Sequence, residues 1–299
     1  MHIGKCDMLN LSMKRFHFLF GYLSLMPLAT AFAPVRTIHT QVPQSVIRHA
    51  MTMNAEWSQI KIKKNEKDGE GLRLMEIETT PDVCSLYKLP GQYVQIRAAA
   101  DAKPGFYAIC NAPKSSSSSF SFLIKDVENN SFLTNAKEGE TLEMSIPMGK
   151  GFQTQEYFEK YKFDYATTQV IMMACGSGIA PIAAAIESET LGLMKKNYNA
   201  LYERKGLLYI GARTEAHLPL QHKYKDWSEL GMTIIPVLSQ PSSDWTGRTG
   251  YIQDVLKKDK ISIPKNSGAL LCGPRGMTDA ARELFLEAGV FEGRILLNF

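Results

Sequence analysis

The sequence predicts two domains, a small antiparallel β-barrel and then an α/β domain built on a parallel sheet, behind an N-terminal leader. Three observations carry this. Short segments alternating at period two crowd the stretch from Glu56 to Met148, the pattern of half-buried strands. From Gln169 onward apolar runs alternate with helical segments, the order of a parallel sheet covered on both faces. The 299 residues leave room for two domains and a leader. The expected boundaries are 1–53 for the leader, 54–150 for the barrel, 151–168 for a connector and 169–299 for the α/β domain.

The leader reads as targeting sequence. Lys14-Arg15 precedes an apolar core from Phe16 to Leu28, with the small residues Ala29, Thr30 and Ala31 after it. That core is short for a bilayer span, so a cleavable signal is expected and no transmembrane anchor in the mature protein. From Phe32 to Ala55 there is no acidic residue, which is transit-peptide composition. With Ala31-Phe32-Ala33-Pro34 at the junction, the leader resembles the two-part plastid-targeting leaders of algae with secondary plastids. That implies a plastid location, with simple secretion the competing route.

Charge narrows the function. The chain carries +4 overall, but five basic residues and one acid precede Asn54, and the remainder holds 29 of each. A neutral body offers no basic stripe to nucleic acid. The five cysteines, at 6, 84, 110, 175 and 272, include no Cys-x-x-Cys and no metal spacing. They read as separate thiols.

In the barrel region, Trp57–Lys63, Leu72–Glu78 and Tyr93–Arg97 alternate, with turns at Asp68-Gly69, Pro81-Asp82 and Pro90-Gly91 between them. Phe120–Val127 and Thr141–Ile146 add strands, and Ser115–Ser119 is a solvated loop. Gly149–Thr168 shows no clear strand. The α/β domain opens on Val170–Pro181, VIMMACGSGIAP. Its apolar run without alternation reads as a strand buried on both faces. Gly176 and Gly178 permit unusual dihedrals and close backbone approach, and Pro181 suits the first helical position of a helix reaching about Leu193. Such a turn presents amides to an anion, ordinarily a pyrophosphate; a plain tight turn reads the same way. No Lys-Ser/Thr follows, so a P-loop is excluded. Strands over Leu207–Gly211, Thr233–Leu238, Ala269–Cys272 and Ile295–Asn298 follow, with helices near Tyr224–Leu230, Tyr251–Lys257 and Arg275–Ala288. Gly176, Arg213, Gln240 and Cys272 then fall at the carboxyl ends of strands, where such sheets bind ligands.

Taken together, Pro90-Gly91-Gln92-Tyr93-Val94, Tyr107-Ala108-Ile109, Gly139-Glu140, Pro147-x-Gly149, Gly176–Pro181, Gly211-Ala212-Arg213 and Cys272–Met277 stand in one order. Residues 56–299 thereby resemble the ferredoxin–NADP reductase-type flavoprotein family, nearest its plastid FAD/NAD(P)-binding oxidoreductase-like branch. The resemblance implies an FAD-binding barrel, an NADP- or NAD-binding domain, and chemistry at the cleft between them. Tyr107 would pack on the flavin, with Ala108 and Ile109 beside it. The family's Arg-x-Tyr-Ser, whose Arg binds FAD pyrophosphate and whose Ser bonds the flavin, here reads Gly105-Phe106-Tyr107-Ala108. Asn130 and Ser131 are the expected substitute donors. Gly176, Ser177, Gly178, Ile179, Ala180 and Pro181 would cradle the NAD(P) pyrophosphate. Cys272, Gly273 and Pro274 would lie under the nicotinamide with Met277 behind, Arg213 would meet a 2′-phosphate, and Phe299 would stack on the flavin. His217 and His222 are expected at the surface.

The activity implied is transfer of electrons from NAD(P)H through FAD to an acceptor, which in the absence of an iron–sulfur module is a separate protein or small molecule. The rival is a non-catalytic dinucleotide-binding protein with a degenerate flavin site; a flavin-free dinucleotide enzyme is the third reading.

Overall fold

A computed structural model describes residues 57–113, 118–159, 164–188, 190–193 and 204–298. The leader, serines 115–117 and Phe299 lie outside the described residues. Strands β1 (Trp57–Lys67), β2 (Leu72–Glu78), β3 (Tyr93–Arg97), β4 (Gly105–Ala108), β5 (Ser119–Lys125) and β6 (Thr141–Ser145) form an antiparallel sheet in the order β4-β3-β6-β1-β2-β5. The sheet curls nearly shut. Just beyond β4, Ile109 bridges Phe122, and Cys110 N–H donates to the Ser121 carbonyl at 2.8 Å. Alternation explains the inside: Ile60 and Ile62 of β1 are buried while Lys61 and Lys63 are exposed. They meet Met75, Ile77, Val94, Ile96, Phe120, Phe122 and Met144 in one core. Each such side chain contributes roughly 1.5–3 kcal/mol on burial. The barrel also carries the short helices α1 (Pro81–Ser85) and α2 (Ser131–Thr134).

The second domain is a six-stranded parallel sheet. Its strands are β7 (Gln169–Cys175), β8 (Lys205–Ala212), β9 (Met232–Leu238), β10 (Arg248–Thr249), β11 (Ser267–Cys272) and β12 (Ile295–Leu297). Helices α3 (Ile179–Glu187), α4 (Tyr224–Glu229), α5 (Ile252–Asp259) and α6 (Arg275–Glu287) connect them. The order β10-β9-β8-β7-β11-β12 means the chain builds outward from β7 on one side, then crosses to the other. The switch point lies between β7 and β11, where open sheets of this kind leave a crevice at their carboxyl ends. Val170, Met172 and Ala174 pack with Ile182 and Ile186 of α3, while Ile171 and Met173 face Val255 and Phe285. That two-sided burial is why β7 reads as an unbroken apolar run.

Two expectations about this helix are corrected. It begins at Ile179, so Pro181 is third rather than first; the ring is tolerated because no N–H of the first turn has an intrahelical partner. It stops at Glu187, short of Leu193. There the Ser188 hydroxyl donates to the Ala185 carbonyl at 2.9 Å and meets the Thr190 hydroxyl at 2.8 Å, a local competitor to the helical ladder. The connector holds a π-helical turn, Gln155–Glu159, whose buried Phe158 packs over Gly268.

The β1–β2 turn ties the barrel to the sheet domain. Glu70 N–H donates to the Ala216 carbonyl at 2.7 Å, and Asp68 accepts from Leu220 N–H at 2.8 Å. Gly69, at φ +79°, lies so close that a β-carbon there would come within 3.1 Å of the Leu218 carbonyl oxygen.

Candidate functional site

The site forms where β7 and β11 end. Gly176 takes φ +56°, a left-handed conformation that glycine adopts at little cost, and the turn Gly176–Gly178 leads into α3. Gly178 has an ordinary φ of −63°, so the expectation of an unusual dihedral is corrected there. Its need for glycine is spatial: a β-carbon would lie 2.7 Å from Cys272 C, 3.0 Å from Gly273 N and closer still to Cys272 O. The two strand ends therefore touch backbone to backbone.

Two cavities meet at this turn. One, of about 360 Å³, lies between the domains; Tyr107, Ala108, Lys125, Asn130, Ser177 and Cys272 are among its lining residues, with Gly178, Ala180, Pro181, Gly273 and Pro274. The other, of about 620 Å³, runs along the strand ends past Gly176, Arg213, His217, Tyr251 and Met277. Lys125, Cys175 and Pro274 line both. A β-carbon on Gly176 would sit 3.5 Å from Lys125 Cε, so this cation stands over the glycine turn.

Most of the expected residues thus converge, and some do not. Ile179 and Ile109 are fully buried in the cores and touch neither cavity. Gln240 is exposed and lies outside both; its N–H donates to the Arg213 carbonyl at 2.8 Å, and Ser239 takes its place on the wall. Ser131 opens the four-residue α2 but lines neither cavity. His217 is a cavity-wall residue rather than a surface one, with Nδ1 at 2.9 Å from the Thr214 hydroxyl and 3.6 Å from Glu70; His222 is exposed. Lys125, Tyr251 and Glu70 are among the wall residues that the sequence did not single out. An exposed aromatic beside a strand end was the available signal for Tyr251, which is 63% exposed.

The barrel wall departs from the family pattern in a specific way. The Tyr107 ring lies over Gly105, where a β-carbon would come within 2.6 Å of Tyr107 Cζ. The Tyr107 hydroxyl donates to Asn130 Oδ1 at 3.0 Å, and Asn130 Nδ2 donates to the Lys125 carbonyl at 2.9 Å. Gly105 is the condition for this ring position, and Asn130 is already engaged at both ends of its amide. Burial pushes the Tyr107 hydroxyl up to about 12. It pushes the Cys272 thiol up to about 12 as well, against a smaller lowering by Asn298, and Cys175 to about 11, against the Gly211 backbone and Lys125. All three groups are therefore neutral near pH 7. The cysteines sit on opposite faces of the sheet, Cys272 with Ala174 and Cys175 with Met173. Among the described residues no cluster of His, Cys, Asp or Glu suits a metal, and no helix is long and apolar enough to cross a membrane.

Comparison with known proteins agrees with this geometry. Residues 172–283 match the oxidoreductase NAD-binding domain family. The fruit protein pKIWI502 of Actinidia deliciosa is 31% identical over 235 residues, covering 75% of this chain and 70% of that one. The electron transfer component of anthranilate 1,2-dioxygenase from Acinetobacter baylyi is 25% identical over 232 residues; this chain spans 62% of its length. In fold, the chain is similar to a ferredoxin–NADP+ reductase from Neisseria gonorrhoeae solved with FAD and NADP, with a TM-score of 0.63 and 17% identity over 81% of this chain and 98% of that one. Barrel, switch-point crevice and sequence kinship together place the chain in the ferredoxin–NADP reductase-type flavoprotein family, whose members are electron-transfer oxidoreductases working with FAD and a nicotinamide dinucleotide.

Proposed function

We propose that this protein takes hydride from NADPH onto FAD and passes the electrons to a separate acceptor, in a plastid. One observation carries the dinucleotide part: two cavities meet at the Gly176 turn under Lys125. A dinucleotide is two nucleotides joined at a pyrophosphate, and the turn's amides with a cation suit that junction. The adenosine half then lies toward Tyr251 and Arg213. Arg213 makes no ion pair with a described residue, and an unpaired guanidinium suits a 2′-phosphate, hence NADPH. The nicotinamide half lies toward Cys272.

FAD fits the barrel side of the interdomain cleft, with one substitution of means. Tyr107 and Ala108 form its wall, no Arg or Ser stands where the family has them, and Lys125 is the cation within the cleft. FAD supplies the hydride-accepting and electron-relaying chemistry when bound. The residues' work is to bind, orient and shield. Leu123, Ile124 and Cys272 are buried on the cleft wall and keep water back. Cys272 stays a neutral thiol near pH 7, so its part beside the dinucleotide is packing rather than charge. Hydride transfer needs no acid–base pair.

The plastid location rests on the composition of residues 1–53 and is tested by imaging a C-terminal fluorescent fusion in the native cell. The activity is tested by the visible spectrum of the purified protein before and after anaerobic NADPH or NADH. Flavin bands that bleach faster with NADPH are expected, with the preference lost in Arg213→Gln. A colourless protein that binds dinucleotide but cannot be reconstituted with FAD would establish the rival binding protein, which Gly105 and Ala108 favour.

A further inference from the structure

We propose that Asp68 of the barrel is a positioning residue for the dinucleotide: its carboxylate clamps the loop carrying Arg213 and His217 by holding Leu220 in a left-handed conformation. This rests on the reading above that Arg213 meets a 2′-phosphate. Leu220 has φ +52° and ψ +32° and is fully buried. A non-glycine residue there crowds its β-carbon against the following carbonyl, and it persists only where neighbours over-determine it. Part of what holds Leu220 lies in its own domain. Its carbonyl accepts from Lys223 N–H at 2.9 Å, and the Pro219 carbonyl accepts from the Tyr224 hydroxyl at 2.9 Å. Its N–H is met from the other domain, by Asp68 Oδ2 at 2.8 Å.

Asp68 is held for this contact. Its N–H donates to the Leu72 carbonyl at 3.0 Å, which fixes it in the β1–β2 turn. Only 12% of its side chain is exposed, and Oδ1 stands 3.5 Å from His222 Nδ1. A carboxylate takes a backbone N–H more strongly than a neutral acceptor does. The clamped segment runs from Arg213, at the end of β8, to Leu220. Between them the Thr214 hydroxyl lies 2.9 Å from His217 Nδ1, and the Ala216 carbonyl accepts from Glu70 N–H at 2.7 Å. Arg213 and His217 line the 620 Å³ cavity together with Glu70 and Gly71 of the same barrel turn. One turn thus supplies part of the cavity wall and the clamp on the loop that forms another part. Without the carboxylate, the buried Leu220 N–H loses its partner, which is costly away from water. The left-handed residue then relaxes, and the loop moves with it, taking Arg213 from the place where the 2′-phosphate arrives.

The test titrates NADP+ and NAD+ by calorimetry into the full chain and into Asp68→Ala, Asp68→Asn and His222→Ala, with flavin content and thermal midpoint recorded. Asp68→Asn keeps an oxygen for the Leu220 N–H, and His222→Ala removes only the neighbour of Oδ1. Asp68→Ala is expected to cut the preference for NADP+ over NAD+ by about tenfold, with NAD+ affinity and flavin content held. Asp68→Asn and His222→Ala are expected to keep the preference. Gly69→Ala, whose methyl would press on the Leu218 and Ala216 carbonyls, lifts the turn by a second route. It is expected to lower the preference too, and it decides the matter where Asp68→Ala does not fold. An unchanged preference overturns the proposal. So does equal weakening of both ligands with a lower midpoint, which marks a structural residue. Loss of the preference in Asp68→Asn or His222→Ala assigns the effect to the charge pair and also overturns the clamp. Arg213→Gln keeps the two readings apart. If it abolishes a preference that Asp68→Ala spares, this proposal alone fails; a wild-type chain without any preference sinks the 2′-phosphate reading and the proposal with it.

Discussion

Replacing Gly178 by alanine tests whether backbone contact between two strand ends shapes the site. The added methyl would stand 2.7 Å from Cys272 C and 3.0 Å from Gly273 N, against roughly 3.5 Å or more for comfortable carbon contacts. Each opposing atom is backbone, so no side chain can swing aside. The turn and β11 must part by roughly 1 Å, at a cost of about 1–3 kcal/mol. In a domain pair of this size that lowers the thermal midpoint by about 2–4 °C per kcal/mol. A displacement on that scale in the crevice holding Cys272 weakens catalysis by as much as about a hundredfold. Gly289→Ala, remote from the site, is the control. A β-carbon there meets nothing within 4 Å and the residue has φ +93°, so it meets only left-handed strain of about 1–2 kcal/mol. Thermal unfolding and dinucleotide titration of both variants decide the matter. Similar stability losses are expected, with turnover and NADP+ affinity damaged far more by Gly178→Ala. Equal damage by both, or a neutral Gly178→Ala, would refute the reasoning.

Three further outcomes follow from the site. Gly105→Arg restores the family's residue type, yet it must push the Tyr107 ring from its place and break the bond to Asn130; flavin bound per chain should fall, and a rise would show that the ring position is incidental. Lys125→Met should weaken NADP+ by about tenfold or more and flatten the salt dependence of binding, whereas an unaltered salt slope removes Lys125 from the phosphate junction. Alkaline pH should destabilise the fold through buried thiols. Burial raises Cys110 and Cys272 to about 12, above the range of an unfolded thiol. Their stabilisation is complete below about pH 8.5. As pH rises toward 12 the unfolded chain releases protons that the folded chain keeps, and stability falls by about 1.4 kcal/mol per pH unit for each thiol. Urea unfolding between pH 8 and 10.5 reads the slope, which Cys272→Ala should reduce; a flat profile contradicts it.

Much of this molecule was readable in one dimension because local chemistry wrote it. Ile60 and Ile62 alternate with lysines since one face of β1 meets a core, and Val170–Ala174 do not alternate since β7 is covered twice. Glycines and strand ends marked the crevice for the same reason. Where reading failed, a distant segment had intervened. Helix α3 stops early because a serine hydroxyl competes for its last carbonyls. His217 and Gln240 exchanged expected standing because the β1–β2 turn docks over one and leaves the other in solvent.

The succession of strands along the chain and the glycine turn were read from periodicity and from residue types with few conformational alternatives, and the Cys272-Gly273-Pro274 segment from its resemblance to a family motif. Lys125 could not be found that way: it ends an ordinary barrel strand, and only the packing of one domain on the other sets it over Gly176. The same holds for Gly105, whose missing side chain signals a lost arginine in the sequence and a seat for the Tyr107 ring in space. Pattern reports which face of its own element a residue occupies. Which group from elsewhere shares that face depends on contacts between residues far apart in the chain, and those exist only once the domains are packed.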